Sequence, residues 1–103
     1  SEIIIVNTMH ERKQCMFERS DAFIVFPGGF GTMDEMFEIL TWKQLLLHDK
    51  PIVIFNYQHY WDPLIALMHS IIENKFAKTE TATFFHVVTE IEQILDILEG
   101  DTV

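Results

Sequence analysis

Ala22-Phe23-Ile24-Val25-Phe26, followed at once by Pro27-Gly28-Gly29-Phe30-Gly31-Thr32-Met33-Asp34-Glu35, is the stretch that decides the fold. An apolar, β-branched and aromatic run gives way to three glycines within four residues. Met33, Met36, Phe37, Leu40 and Gln44-Leu45 then recur at helical spacing. Strand, tight turn and helix in that order form the unit whose turn binds anions in α/β sheets. Gly28, Gly29 and Gly31 suit a backbone that must approach a phosphate closely and adopt positive φ. Thr32 adds a hydroxyl where the helix dipole favours negative charge. Asp34 and Glu35 are placed in the first helical turn. Dipole complementarity accounts for Asp34, whereas Glu35 sits one turn from the phosphate cradle with its carboxylate able to face whatever the phosphate carries.

Two better-known glycine motifs fail here. A dinucleotide fingerprint needs a glycine where Asp34 stands, and the next strand-like run ends in Asn56 instead of a ribose-binding acid. A P-loop needs a lysine after its last glycine. Thr32 follows Gly31 directly, which favours a monophosphate over a triphosphate.

Working outward, residues 3–6 (Ile-Ile-Ile-Val) read as a parallel strand buried on both faces. Thr8 and Glu11 form a capping box for a helix from Met9 to about Arg19, with Met9, Arg12 and Met16 on one arc. Arg12 is therefore a charge on an apolar stripe, a snorkelling position as far as spacing goes. Residues 22–26 form the second strand, and the motif helix runs from about Gly31 to Leu47. On its Glu35 face lie Glu38, Ile39 and Trp42. Glu35 and Glu38 lack the E-x-x-H partner of a carboxylate metal site, and Trp42 suits either a base or prenyl pocket or simple packing. Asp49-Lys50-Pro51 ends the helix, and Ile52–Phe55 is the third strand. Asp62 as N-cap and Pro63 start a helix to about Glu73, with Asn74 as its left-handed cap. A loop follows over 75–85. Phe84 to Val88 is a short fourth strand, and Thr89 with Glu92 caps a last helix closed by Gly100. The order β-α-β-α-β-α-β-α predicts an α/β, Rossmann-like parallel sheet with helices on both faces and right-handed crossovers. In such a sheet Arg12 and Glu35 both start from the carboxyl edge, where ligands bind.

A chain of 103 residues, 49% of them hydrophobic, supports one core and one domain. Its net charge of −9, with seven scattered Lys and Arg, excludes a groove for a nucleic-acid polymer. A lone Cys15 excludes an internal disulfide and suits a reducing cytoplasm. His10, His48, His59, His69 and His86 are too dispersed for a metal site, and no apolar run approaches the ~20 residues of a membrane span.

The run from Thr8 to His48 resembles the Lonely Guy (LOG) family, also labelled "possible lysine decarboxylase". Met9-His10-Glu11-Arg12-Lys13, Ser20-Asp21-Ala22-Phe23, Pro27 to Glu35 and Thr41-Trp42 carry the likeness. The family's PGGxGTxxE motif matches at every fixed position, its R-K pair matches Arg12 and Lys13, and the likeness continues more loosely to about Phe76. This resemblance implies a phosphoribohydrolase that cleaves the N-glycosidic bond of a nucleoside 5′-monophosphate, typically an N6-modified adenosine monophosphate, to a cytokinin-type base and ribose 5-phosphate. It implies Arg12 and Glu35 as the catalytic pair and Arg12, Lys13, Gly28, Gly29, Gly31, Thr32, Asp34 and Thr41 as substrate contacts. No cofactor or metal is called for, and a homodimer is expected. The chain departs from many relatives at Asp34, where a first Glu is usual, and at Lys75, where a glycine usually follows the third helix. Relatives carry further βα units in front of Ile3, so residues 1–103 are expected to be the carboxy-terminal part of one nucleotide-binding domain and not a complete enzyme.

The alternative from another class is a nucleotide or cofactor carrier with the same glycine loop and no turnover. Retention of both Arg12 and Glu35 favours the enzyme. Decarboxylation gains nothing from the residues, since neither Lys43 nor Lys50 has the setting of a Schiff-base lysine.

Overall fold

The computed structural model describes residues 3–6 and 21–101. Four parallel strands, β1 (Ile3–Ile5), β2 (Ala22–Val25), β3 (Ile52–Phe55) and β4 (His86–Val88), lie side by side in chain order. Ile24 pairs with Ile5 on one side and with Val53 on the other, and Val53 pairs in turn with His86. Between and after them come α1 (Phe30–Gln44), α2 (Asp62–Glu73) and α3 (Ile91–Asp101). The expected Met9–Arg19 helix and its Thr8–Glu11 cap lie outside the described residues.

Every residue of β2 and β3 is buried, and alternation along each strand sorts the side chains between two cores. Phe23, Val25, Ile52 and Ile54 join Val6, with Met36, Ile39 and Leu40 of α1 and Leu64 and Met68 of α2. Ile24, Val53 and Phe55 face the other way and meet Val88 and Ile94, with Ile97 and Leu98 of α3 against them. The α/β sheet with helices on both faces is thus as expected. Sequential parallel strands joined by crossovers of one hand put α1 and α2 on the same side, leaving α3 to cover the other. Among the described residues β1 pairs only with β2, and Ile3 and Ile5 remain exposed.

Several boundaries differ from the sequence reading. α1 ends at Gln44, three residues short of Leu47, because Leu46 turns left-handed at φ 63°. The Leu46 N–H then donates to Lys43 O at 3.1 Å and the Leu47 N–H to Trp42 O at 2.9 Å, the bond pair of a Schellman cap. α2 ends the same way. Lys75, not Asn74, is its left-handed residue (φ 67°), with Lys75 N–H donating to Ile72 O and Phe76 N–H to Ile71 O. Asn74 keeps ordinary φ and spends its side-chain amide on Ser70 O at 2.8 Å. Trp61, one residue before the expected Asp62, is the N-cap of α2, because buried Asn56 accepts the Trp61 N–H at 2.6 Å. The β4 strand is shorter than 84–88, and Thr79–Thr83 within the predicted loop winds into a 3₁₀ turn. At the start of α3 the capping acceptor is Gln93, not Glu92: its Oε1 takes the N–H groups of Thr89 (2.8 Å) and Glu90 (3.0 Å). The helix runs on through Gly100 to Asp101.

His48 ties the turn after α1 to β3. Its Nδ1 accepts the Lys50 N–H at 3.1 Å, so the proton sits on Nε2 and is donated to Ile39 O at 2.9 Å. Its ring also meets Phe23 edge-on. Burial, aided by the charges of Lys43 and Lys50, holds its pKa below 6.5 despite the bond to Ile39. As pH falls the unfolded chain takes up this proton before the folded one. The stabilising contribution of neutral His48 is therefore complete above 6.5 and is lost as pH drops through the lowered folded value. Denaturant melts of His48→Gln should show a smaller stability loss than the unsubstituted protein on acidification through that window. At the second cap, Lys75→Gly removes a Cβ from a left-handed residue and should raise unfolding free energy by about 0.5–1 kcal/mol, measurable in the same melts.

Candidate functional site

The turn after β2 delivers the amino terminus of α1 to the carboxyl edge of the sheet. Gly29 is the N-cap, extended at φ −104° and ψ −152°, and the first helical bond runs from Met33 N–H to Gly29 O at 3.2 Å. The N–H groups of Gly29, Phe30, Gly31 and Thr32 precede it and have no acceptor within the helix, so this end carries concentrated partial positive charge. Positive φ is not what the glycines supply: none among the described residues adopts it. Gly28 is required by contact instead. A Cβ there would stand 2.3 Å from Thr32 Oγ1 and 2.9 Å from Thr32 Cβ, whereas one at Gly29 would meet nothing within 4 Å. The buried Thr32 side chain locks the turn against its own helix, and Gly29 keeps the outer approach open.

The acids are placed differently from the sequence reading. Because α1 already begins at Phe30, Asp34 and Glu35 fall in its second turn, and the first turn holds no acid. Dipole complementarity therefore does not account for Asp34, which is exposed. Glu35 is 2% exposed, on the inward face with Ile39, and Trp42 follows half-buried along the helix. Full burial of a glutamate is rare because desolvating a carboxylate costs several kcal/mol in order of magnitude unless partners offset it. Its Cα lies about 7–8 Å along the axis from the start of the helix, within side-chain reach of a group attached to an anion held there. Gly28, Gly29, Gly31, Thr32 and Glu35 are thus brought together. Thr41 is not: it is exposed about 16 Å along the axis from Phe30. Arg12 and Lys13 lie outside the described residues. No group of three or more acids, histidines or cysteines suited to a metal occurs among the described residues.

A second wall, which the sequence reading passed over, comes from the segment after β3. Asn56 is 4% exposed and ties three elements: its N–H donates to Val88 O at 2.7 Å, its Oδ1 accepts from Trp61, and its Nδ2 donates to Asp62 Oδ1 at 2.8 Å. From this anchor the chain turns through Tyr57–His59, and Tyr60 donates its hydroxyl to Gly28 O at 2.5 Å. An aromatic pair just past a strand's carboxyl end was the available signal, since ligand edges of parallel sheets are built there. Phe30, at the first helical position, is 95% exposed. Lys43 and Lys50 lie at the other edge of the sheet, where Lys43 Nζ donates to Lys50 O.

The family described as "Possible lysine decarboxylase" matches residues 1–98. The chain belongs to this family. Among its curated members the chain is 49% identical, over 77% of its own length, to a probable cytokinin riboside 5′-monophosphate phosphoribohydrolase of Oryza sativa subsp. japonica. It is 41% identical over 89% of its length to the cytokinin riboside 5′-monophosphate phosphoribohydrolase of Rhodococcoides fascians, and 36% identical over 95% to one of Arabidopsis thaliana. The chain spans 35% of the length of the first relative and 46% of each of the other two.

The two loop glycines differ in what an added side chain would meet. Gly28→Ala must displace Thr32 and should destabilise by about 1–3 kcal/mol. Gly29→Ala meets no clash and should cost only about 0.5–1 kcal/mol, the loss of a better N-cap residue, while weakening any phosphate binding at the loop. Chemical denaturation read beside phosphate binding checks both.

Proposed function

We propose that the protein is a phosphoribohydrolase that cleaves the N-glycosidic bond of an N6-modified adenosine 5′-monophosphate, releasing the free base and ribose 5-phosphate. The observation that carries this reading is the buried Glu35 carboxylate on the very helix whose amino terminus forms the anion cradle. A 5′-phosphate at Gly29–Thr32 leaves the ribose to extend toward Glu35. As the bond from C1′ to the base lengthens, positive charge grows on the ribose, and a carboxylate in a poorly solvated position stabilises it far better than one in water. A water oxygen then bonds to C1′, and the departing base retains the bonding pair and takes up a proton. In this reading Arg12 holds the sugar hydroxyls and Lys13 supports the phosphate, as their match to the family motif implies, while Asp34 borders the substrate. Thr41 is a contact only if substrate extends well along α1.

The names of the relatives support the substrate class. We further propose a homodimer, for which the exposed apolar Phe30 at the start of α1 and Leu45 just past its end are suited, and a cytoplasmic site, for which a single cysteine is suited. No helix of the described residues is long and apolar enough to cross a membrane.

The deciding experiment incubates the full-length protein with nucleoside monophosphates and their dephosphorylated counterparts and follows free base. Hydrolysis should require the 5′-phosphate, and equal turnover of a nucleoside and its monophosphate would refute the reading. Glu35→Gln should lower kcat by at least about a hundredfold in a folded protein. Tight binding of the monophosphate without base release would instead identify a carrier.

A further inference from the structure

Tyr60 reaches the glycine loop from a strained segment. Gln58 and His59, neither of them glycine, are both left-handed, at φ 51° and 63°. Two such residues in succession are disfavoured for side chains with a Cβ and persist only where the surroundings over-determine them. Here the surroundings are the Asn56 anchor behind them and the Tyr60 hydroxyl on Gly28 O ahead. His59 Nδ1 also lies 3.4 Å from Asp62 Oδ2, which ties the strained residue back to α2.

The peptide group that Tyr60 holds is the one between Gly28 and Gly29. In a planar trans peptide the carbonyl and the N–H point in opposite directions, so anchoring Gly28 O on Tyr60 aims the Gly29 N–H away from Tyr60. That N–H is the first of the four at the start of α1 without a helical acceptor. A Gly-Gly peptide has the least resistance of any to rotating as a unit, and rotation would present a carbonyl oxygen to an anion in place of a donor. We propose that Tyr60 is a positioning residue for anion binding: its hydrogen bond fixes the Gly28–Gly29 peptide so that the Gly29 N–H faces the phosphate. This rests on the phosphate-cradle part of the proposed function and adds to it a residue that acts through the loop backbone.

Inorganic phosphate titrated into isotope-labelled protein should shift the Gly29 amide resonance, and Tyr60→Phe should weaken phosphate binding about tenfold, the scale of one hydrogen bond, with the fold intact by circular dichroism. In nucleotide hydrolysis the same variant should raise KM and leave kcat unchanged. Equal phosphate affinity in the two proteins overturns the proposal, as does a fall in kcat at unchanged KM. A Gly29 resonance that stays still across the titration also overturns it, and that measurement needs no variant. Phosphate binding that depends on Tyr60 in a protein that hydrolyses no nucleotide upholds the positioning role and removes the hydrolase reading, so the two stand or fall separately.

Discussion

Burial of β2 and β3 on both faces is the constraint on which the remaining structure depends. Eight strand positions, Ala22–Val25 and Ile52–Phe55, are all withdrawn from water, each large side chain contributing roughly 1.5–3 kcal/mol through the hydrophobic effect. A strand apolar on both sides needs cover on both sides. α1 and α2 provide it through Met36, Ile39, Leu40, Leu64 and Met68, and α3 provides it through Ile94. Parallel pairing follows from those crossovers, and parallel pairing brings the carboxyl ends of β2 and β3 to one edge. The glycine loop and the Asn56–Tyr60 segment meet there because their strands are neighbours in the sheet.

That edge holds conformations that would be costly elsewhere. A glutamate is almost wholly removed from solvent, a threonine side chain fills the space above a glycine Cα, and two adjacent left-handed residues lead into Tyr60. The opposite edge is built by other means. There Leu46 and Lys75 close their helices in left-handed Schellman caps and neutral His48 joins the end of α1 to the start of β3. Left-handed residues at helix ends satisfy orphan carbonyls. Those at 58 and 59 follow a strand and cap no α-helix, and they lead into the Tyr60 contact with the glycine loop.

Much of this was legible in the residue order. Strand positions followed from apolar runs too short for helices, and the glycine turn with its helix was evident from composition. The family itself was recognisable from Arg12-Lys13 and the stretch Pro27–Glu35. Errors gathered at element ends. Leu47 continued the apolar spacing of α1, yet hydrogen bonds to Trp42 and Lys43 closed the helix sooner; Glu92 fitted a capping box, yet Gln93 reached both free N–H groups. Ends are settled by which of several nearby acceptors a donor can reach, and periodicity does not record that.

By itself the sequence determined the α/β class, the four-strand order of elements, the family and the position of the glycine loop, because these depend on local apolar pattern and on residue types at fixed spacing. Only the tertiary structure decided that Glu35 is buried and Asp34 exposed, that Thr41 stands far from the loop, that Gly28 is required by Thr32 and not by positive φ, and that Tyr60 clasps Gly28 from 32 positions further along the chain. Those facts are set by contacts between strands and helices distant in sequence, whose separations depend on how the sheet packs and on nothing that neighbouring residues encode.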